Sequence, residues 1–262
     1  MLTERYSVSG TGHPVLLLHS SMSSKSQWKD LVKTLARTHQ VIAVDLLGYG
    51  ASPLPENKVG YSLSDEARHI DLILSDINSA TDQQIEIIGH SFGGATALHW
   101  AHANQDRVKA LHLFEPVAFH LLDPPCAGRE QIDGVINTLI DMLAQNDPQN
   151  ATRTFIDYWS GPGTFLSFPP HIQQAMVGQI EKVALDFQAL SNEPRKVEDY
   201  QKFPFPITLI MGSQSPVSSQ AVACKLRDHL PHIDFHQIDC GHMGPITHPH
   251  LVNEIFLSKL KV

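Results

Sequence analysis

The chain has 262 residues, enough to bury a large core as one domain or as one domain carrying an insertion. A formal charge of -8 argues against nucleic acid or an anionic membrane as the main partner, and no apolar run reaches the roughly 18 to 20 residues of a bilayer span. Cys126, Cys224 and Cys240 are too few and scattered for a disulfide framework or a CxxC metal site, and Met1-Leu-Thr-Glu-Arg-Tyr6 carries no basic-then-apolar leader, so a soluble cytoplasmic protein is expected.

Tyr6 to Gly12 reads as a strand end and a glycine turn. Pro14-Val-Leu-Leu-Leu-His19 is an unbroken apolar run of strand length, the pattern of a strand covered on both faces. A polar loop, His19-Ser-Ser-Met-Ser-Ser24, leads into a helix carrying Trp28, Leu31, Val32 and Leu35. Val41-Ile-Ala-Val-Asp45 is a second buried strand, ending in the turn Asp45 to Ser52. Residues 62–79 show helical spacing at Ala67, Ile70, Leu74 and Ile77. Ile85 to Ile88 then runs into Gly89-His-Ser-Phe-Gly-Gly94 and a helix from near Ala95 to about Asn104. Val108 to Phe114 is the next strand.

The rhythm then changes. Residues 117–203 show no buried-strand run, only amphipathic patterns such as Ile132-Val135-Ile136-Leu139-Ile140-Leu143 and Ile172-Met176-Ile180-Val183. Strands resume at Ile207 to Met211 and Ile233 to Ile238, with helices around Ala221 to Leu230 and Leu251 to Leu260. This alternation predicts an α/β fold: a mostly parallel central sheet with helices on both faces. Residues 1–116 and 204–262 would form the core domain, and residues 117–203 an inserted helical cap or lid.

Gly89-x-Ser91-x-Gly93 is the pattern of a nucleophile elbow, a sharp strand-to-helix turn that pushes one hydroxyl out of the sheet. So tight a turn leaves no room for side chains two residues either side, and the helix after it points its first N–H groups at whatever Ser91 attacks. Ligands of such sheets bind beyond the carboxyl ends of the strands. His19, Asp45, Ser91, Glu115, Gly212 and Cys240-Gly-His242 all follow strands and so gather at that edge.

With Val15-Leu-Leu-Leu-His19, Asp45-x-x-Gly48-x-Gly50-x-Ser52, Gly89-His-Ser91-Phe-Gly-Gly94 and Gly241-His242, the chain resembles the α/β-hydrolase family over nearly its whole length outside the cap. The resemblance implies Ser91 as nucleophile, His242 as base, and an oxyanion hole made by the N–H groups of Phe92 and Ser21. Two positions depart from the family pattern: Ser20 follows His19 where glycine is common, and Ser215 stands where the acid is expected. Serine cannot carry the charge that stabilises an imidazolium. Glu115, in Leu113-Phe-Glu-Pro116, is the expected replacement, because some branches, certain haloalkane dehalogenases among them, place their acid after that strand. Asp239, a cap carboxylate, or a Ser-His pair with no acid are the alternatives.

Other residues have plainer readings. His19 would brace the oxyanion loop, Asp45 would fix its own turn, and Cys240 would be a small buried residue. His99-x-x-His102 lacks a third ligand, so neither a metal nor another cofactor is expected. Phe155, Tyr158, Trp159, Phe165 and Phe168 would divide between a substrate cleft and helical packing.

The resulting expectation is a serine hydrolase acting on a small to medium carboxylic ester through an acyl-enzyme, its partner a small molecule. Dehalogenases and epoxide hydrolases of the family use an aspartate nucleophile, so Ser91 argues against both. Thioester, lactone or carbon–carbon bond hydrolysis remain alternatives. So does a non-catalytic binding protein on a hydrolase scaffold, which Ser20 and Ser215 favour and the intact elbow opposes.

Overall fold

The first buried strand shows how the sheet is built. In β2 (His13–Leu18), Val15 and Leu17 join one apolar layer and Leu16 and Leu18 the other, all four inaccessible to solvent. Successive side chains of a strand point to opposite faces, so a continuous apolar run must be covered twice. β3 (His39–Val44) divides in the same way, Val41 and Ala43 against Ile42 and Val44. With β1 (Tyr6–Ser9), β4 (Ile85–His90), β5 (Val108–Phe114), β6 (Ile207–Gly212) and β7 (Ile233–Ile238), these form a seven-stranded sheet among the described residues, ordered β1-β3-β2-β4-β5-β6-β7. β1 is antiparallel to β3, and the other pairings are parallel. The computed structural model describes residues 1–77 and 83–260.

Before the sheet's midpoint come α1 (Lys29–Leu35), α2 (Leu63–Asp76) and α3 (Phe92–Ala103). The spacing in 62–79 thus gives a helix ending at Asp76, and Asn78 and Ser79 lie outside the described residues. α3 begins at Phe92, earlier than the expected start near Ala95. Two glycines lower helix propensity, which is why the sequence reads as a longer turn. Contact overrides propensity here. A Cβ on Gly93 would lie 2.4 Å from the His19 carbonyl oxygen and 2.5 Å from that of Leu18.

Between β5 and β6 the chain stays helical, as expected: α4 (Ala127–Ala144), α5 (Pro148–Ser160), α6 (Thr164–Ser167), α7 (Pro170–Val177), α8 (Ile180–Ser191) and α9 (Val197–Tyr200). Asp147 caps α5 by accepting the Asn150 N–H, and Pro148 takes its first position. The apolar pattern Ile172 to Val183 is two helices rather than one, parted at Gly178-Gln179. The chain closes with α10 (Val217–His229), α11 (Gly244–Thr247) and α12 (Pro249–Lys259). Leu31 and Leu35 of α1 and Val252 and Phe256 of α12 cover one face of the sheet, while α2, α3 and α10 cover the other. Each such large apolar side chain contributes roughly 1.5–3 kcal/mol when fully buried.

The closeness of α3 to β2 makes Gly93 the tightest joint near the elbow. Gly93→Ala is expected to destabilise the fold by at least about 1–3 kcal/mol, the usual cost of overpacking, and to lower the thermal unfolding midpoint by several degrees. An unchanged midpoint would show that the joint yields easily.

Candidate active site

Ser91 sits between β4 and α3 with φ 55° and ψ -121°, a strained conformation for a residue with a side chain. It is held from both sides: its N–H donates to the Phe114 carbonyl (3.1 Å) and its own carbonyl accepts the Ala95 N–H (3.0 Å). His242 lies in the loop between β7 and α11, and Glu115 directly follows β5 with φ 41°. The structure brings the three together. The Ser91 hydroxyl donates to His242 Nε2 at 2.9 Å, and His242 Nδ1–H donates to Glu115 Oε2 at 2.6 Å. The other carboxylate oxygen of Glu115 accepts the Gly212 N–H at 2.7 Å, so the end of β6 fixes the acid's orientation. Glu115 is wholly buried and His242 nearly so. The Trp159 ring lies against the imidazole, centroids 4.1 Å apart.

Phe92 directly follows Ser91 as the first residue of α3, and Ser21 lines the same cavity as Ser91. Neither backbone N–H has a hydrogen-bond partner among the described residues, which leaves both available to a developing oxyanion. The loop bearing Ser21 is braced by His19, whose Nδ1–H donates to the Ser20 carbonyl (2.7 Å) and whose Nε2 accepts the Leu46 N–H (3.0 Å). Burial pushes this imidazole down to about 4, the neutral form that both bonds require. Ser20 turns away toward Gln27, whose Oε1 accepts the Ser20 N–H (3.1 Å) and hydroxyl (3.0 Å). Gln27 Nε2 in turn donates to His90 Nδ1 (3.2 Å), and His90 Nε2–H donates to the His242 carbonyl (2.9 Å). Burial, then the neighbouring His242, hold His90 well below its usual range, so it too is neutral. Gln27 and His90 thus link the oxyanion loop to the histidine loop. His90 lies inside the elbow motif and could have been singled out there, whereas Gln27 carries no signal in the sequence.

The remaining selected residues separate by geometry. Asp239 is bonded to Ser213 (3.1 Å) and Gln214 (2.8 Å), at the exposed rim. Ser215 is buried, its hydroxyl without a partner among the described residues. Asp45 does fix its turn through the Ala51 N–H (2.9 Å), and it also holds the Lys25 N–H (2.7 Å) and ammonium (2.5 Å). His99 faces the buried Glu193 at 2.7 Å and the half-buried Arg195 at 2.7 Å. Burial raises the Cys240 thiol to about 11, which keeps it protonated. Phe155, Trp159 and Phe168 line a largely apolar cavity of about 350 Å³ that opens onto Ser91 and His242. Tyr158 lines a neighbouring cleft, and Phe165 is core.

A family model described as the alpha/beta hydrolase fold matches residues 13–249. This chain belongs to the α/β-hydrolase family. A haloalkane dehalogenase of Agrobacterium fabrum is 32% identical over 108 residues, 41% of this chain and 34% of the dehalogenase. The matched segment therefore spans about a third of that relative's length. A 2-hydroxymuconate semialdehyde hydrolase of Pseudomonas putida is 27% identical over 254 residues, 91% of this chain and 84% of the relative. Among solved structures, a thermophilic esterase from Thermogutta terrifontis superposes with a TM-score of 0.77 at 21% identity, over 97% of this chain and 92% of that one.

In this α/β hydrolase the hydroxyl, imidazole and carboxylate form one directed hydrogen-bond chain. Such a chain can pass the Ser91 proton to His242 and balance the resulting imidazolium charge with Glu115. Replacing Glu115 by Gln would present an amide to Nδ1 and permit the wrong tautomer. Glu115→Gln is expected to keep the fold and to slow phosphonylation of Ser91 by a fluorophosphonate about 10²- to 10⁴-fold. Labelling at the wild-type rate would separate Glu115 from the reactivity of Ser91.

Proposed function

We propose that this protein is a serine hydrolase cleaving small to medium carboxylic esters through an acyl-enzyme. The observation that carries the reading is the Ser91–His242–Glu115 chain opening on the apolar cavity. His242 takes the Ser91 proton as Oγ attacks the ester carbonyl, and the N–H groups of Phe92 and Ser21 receive the oxyanion. His242 then protonates the departing alcohol, and water attacks the acyl-enzyme by the same route.

The site has two unequal compartments. The leaving oxygen must depart beside the histidine that protonates it, so the alcohol belongs in the cavity of about 350 Å³ that His242 lines. The acyl part is directed to the other side of Ser91, into a recess of about 10 Å³ lined by Ser21, Val117, Phe119, Val183 and Phe187. That recess has room for about one methyl-sized group, which favours an acetyl over a longer acyl chain. Among the described residues no Lys or Arg lines either compartment, and the recess wall includes the Asp186 carboxylate, which suits a neutral ester better than a carboxylate substrate. Ser91, in place of an aspartate, argues against the chemistry named for the dehalogenase relative.

Residues 117–203 act in this reading as the cap, supplying Phe155, Ile156, Trp159 and Phe168 to the cavity wall. No helix among the described residues is long and apolar enough to cross a membrane, and the cysteines are unpaired, as suits a small-molecule hydrolase of a reducing cytoplasm.

A fluorophosphonate probe is expected to label the wild type and not Ser91→Ala, and p-nitrophenyl acetate turnover should vanish in the same variant. The kcat/KM for p-nitrophenyl acetate should exceed that for the octanoate, and Phe187→Ala should shift the preference toward longer acyl chains. A folded wild type that does not label would overturn the hydrolase reading, and a preference for octanoate would overturn the acyl assignment alone.

A further inference from the structure

A second buried polar cluster abuts the site, with Asp186 on the wall of the acyl recess, and the hydrolytic steps make no use of it. Lys182 and Asp186 stand one turn apart on α8 and are almost fully buried. The Lys182 ammonium donates to Asp186 Oδ1 and to the Tyr61 hydroxyl (3.0 Å), and it lies 3.6 Å from Glu66 Oε1. Glu66, itself buried, accepts the Tyr61 hydroxyl and the Leu47 N–H (3.1 Å). Asp186 Oδ2 accepts the hydroxyls of Tyr49 (2.5 Å) and Ser21 (2.6 Å). The ammonium also sits over the rings of Tyr49 (4.6 Å), Tyr61 (4.8 Å) and Phe92 (4.8 Å). One ion pair on a helix of the insertion therefore touches both residues proposed to supply the oxyanion hole.

Stability is a poor explanation for this cluster. Burying an ammonium and two carboxyl groups carries a large desolvation cost, and well-packed apolar residues usually do as well or better. Fixed geometry is the better explanation. Ser21 belongs to a serine-rich loop and precedes Met22, which holds φ 53°. Its neighbours are tied within the core domain, His19 to Leu46 and Ser20 to Gln27. The Ser21 side chain is tied across 165 residues to α8.

We propose that the Lys182–Asp186 pair is a positioning device: through the Ser21 hydroxyl it holds the Ser21 N–H over Ser91, so the oxyanion hole is complete only while the helical insertion is seated. The proposal rests on Ser91 being the nucleophile and on Phe92 and Ser21 supplying the hole. In that arrangement, lifting α8 away releases the Ser21 hydroxyl, and the N–H group loses its aim along with it.

The test begins with fluorophosphonate labelling of wild type and Ser91→Ala. An unlabelled wild type overturns the nucleophile reading and, with it, any hole to position. With labelling established, steady-state kinetics on p-nitrophenyl acetate compare Ser21→Ala, Ser21→Thr, Asp186→Asn and the Ser21→Ala/Asp186→Asn double variant. Ser21→Ala leaves the buried ion pair whole and is expected to lower kcat about tenfold or more, with KM within about twofold, a loss on the scale of a misaimed oxyanion donor. Ser21→Thr, which keeps a hydroxyl, should recover most of it. Asp186→Asn should add little in the Ser21→Ala background, because both changes cut the same link. Wild-type kcat in Ser21→Ala, or losses that multiply in the double variant, would overturn the proposal while leaving the hydrolase reading intact. If Asp186→Asn does not fold, the contrast between Ser21→Ala and Ser21→Thr decides by itself.

Discussion

The close approach of α3 to β2 is the constraint on which the site depends. Gly93 passes so near the Leu18 and His19 carbonyls that no side chain fits, and Gly89 is likewise closed in by Gly93 and Gly94. β2 and β4 are parallel neighbours with Leu18 opposite Gly89, and the close approach of α3 to the end of β2 keeps Ser91 near the loop that carries Ser21. The strain at Ser91, on the order of 1–3 kcal/mol for such a conformation, is sustained because strand and helix on either side are locked into the core. A looser joint would let the backbone relax and withdraw the hydroxyl.

The acid's position follows from the spacing of neighbouring strands. β5 and β6 are parallel partners, with Phe114 opposite Ile210, so their ends lie side by side at the same sheet edge. Strands about 4.8 Å apart are within the reach of one glutamate side chain. Glu115 spans that interval, anchoring one oxygen on the Gly212 N–H and offering the other to His242. The turn after β6, with Ser215 in it, has no ionisable group, and the carboxylate that meets His242 comes from the end of β5 instead.

Around this centre the polar groups are kept neutral or paired. His19 and His90 are held uncharged by burial, and each then donates one hydrogen bond and accepts another, the accepted one being lost if the ring charges. Lys182, Asp186 and Glu66 are satisfied among themselves and by tyrosine hydroxyls. Trp159 closes the ring of contacts from the insertion by lying on His242. Residues from the insertion therefore touch the hydroxyl's two flanks, the base on one side and the Ser21 loop on the other.

Much of this was legible in the chain. Doubly covered strands show as runs such as Val15 to Leu18, because period-two burial on both faces leaves no polar position. The elbow, Gly241-His242 and the carboxylate at the end of β5 show because each is a local pattern at a strand's carboxyl end, where the fold class collects ligands. Less visible were the start of α3, where glycines that weaken a helix are required by a contact with another strand, and the break at Gly178-Gln179, which keeps helical periodicity across two helices. Gln27, Tyr49, Glu66, Lys182 and Asp186 could not be singled out at all, since each looks like an ordinary polar residue in its own segment. Their place is set by partners up to 165 residues away. The sequence by itself determined the sheet, the elbow and the types of group at its edge, because periodicity and turn chemistry act over a few residues. Which carboxylate meets the histidine, and which buried ion pair holds the oxyanion loop, was decided only when distant segments were packed together, because hydrogen bonds of this kind depend on distances in space that no local pattern records.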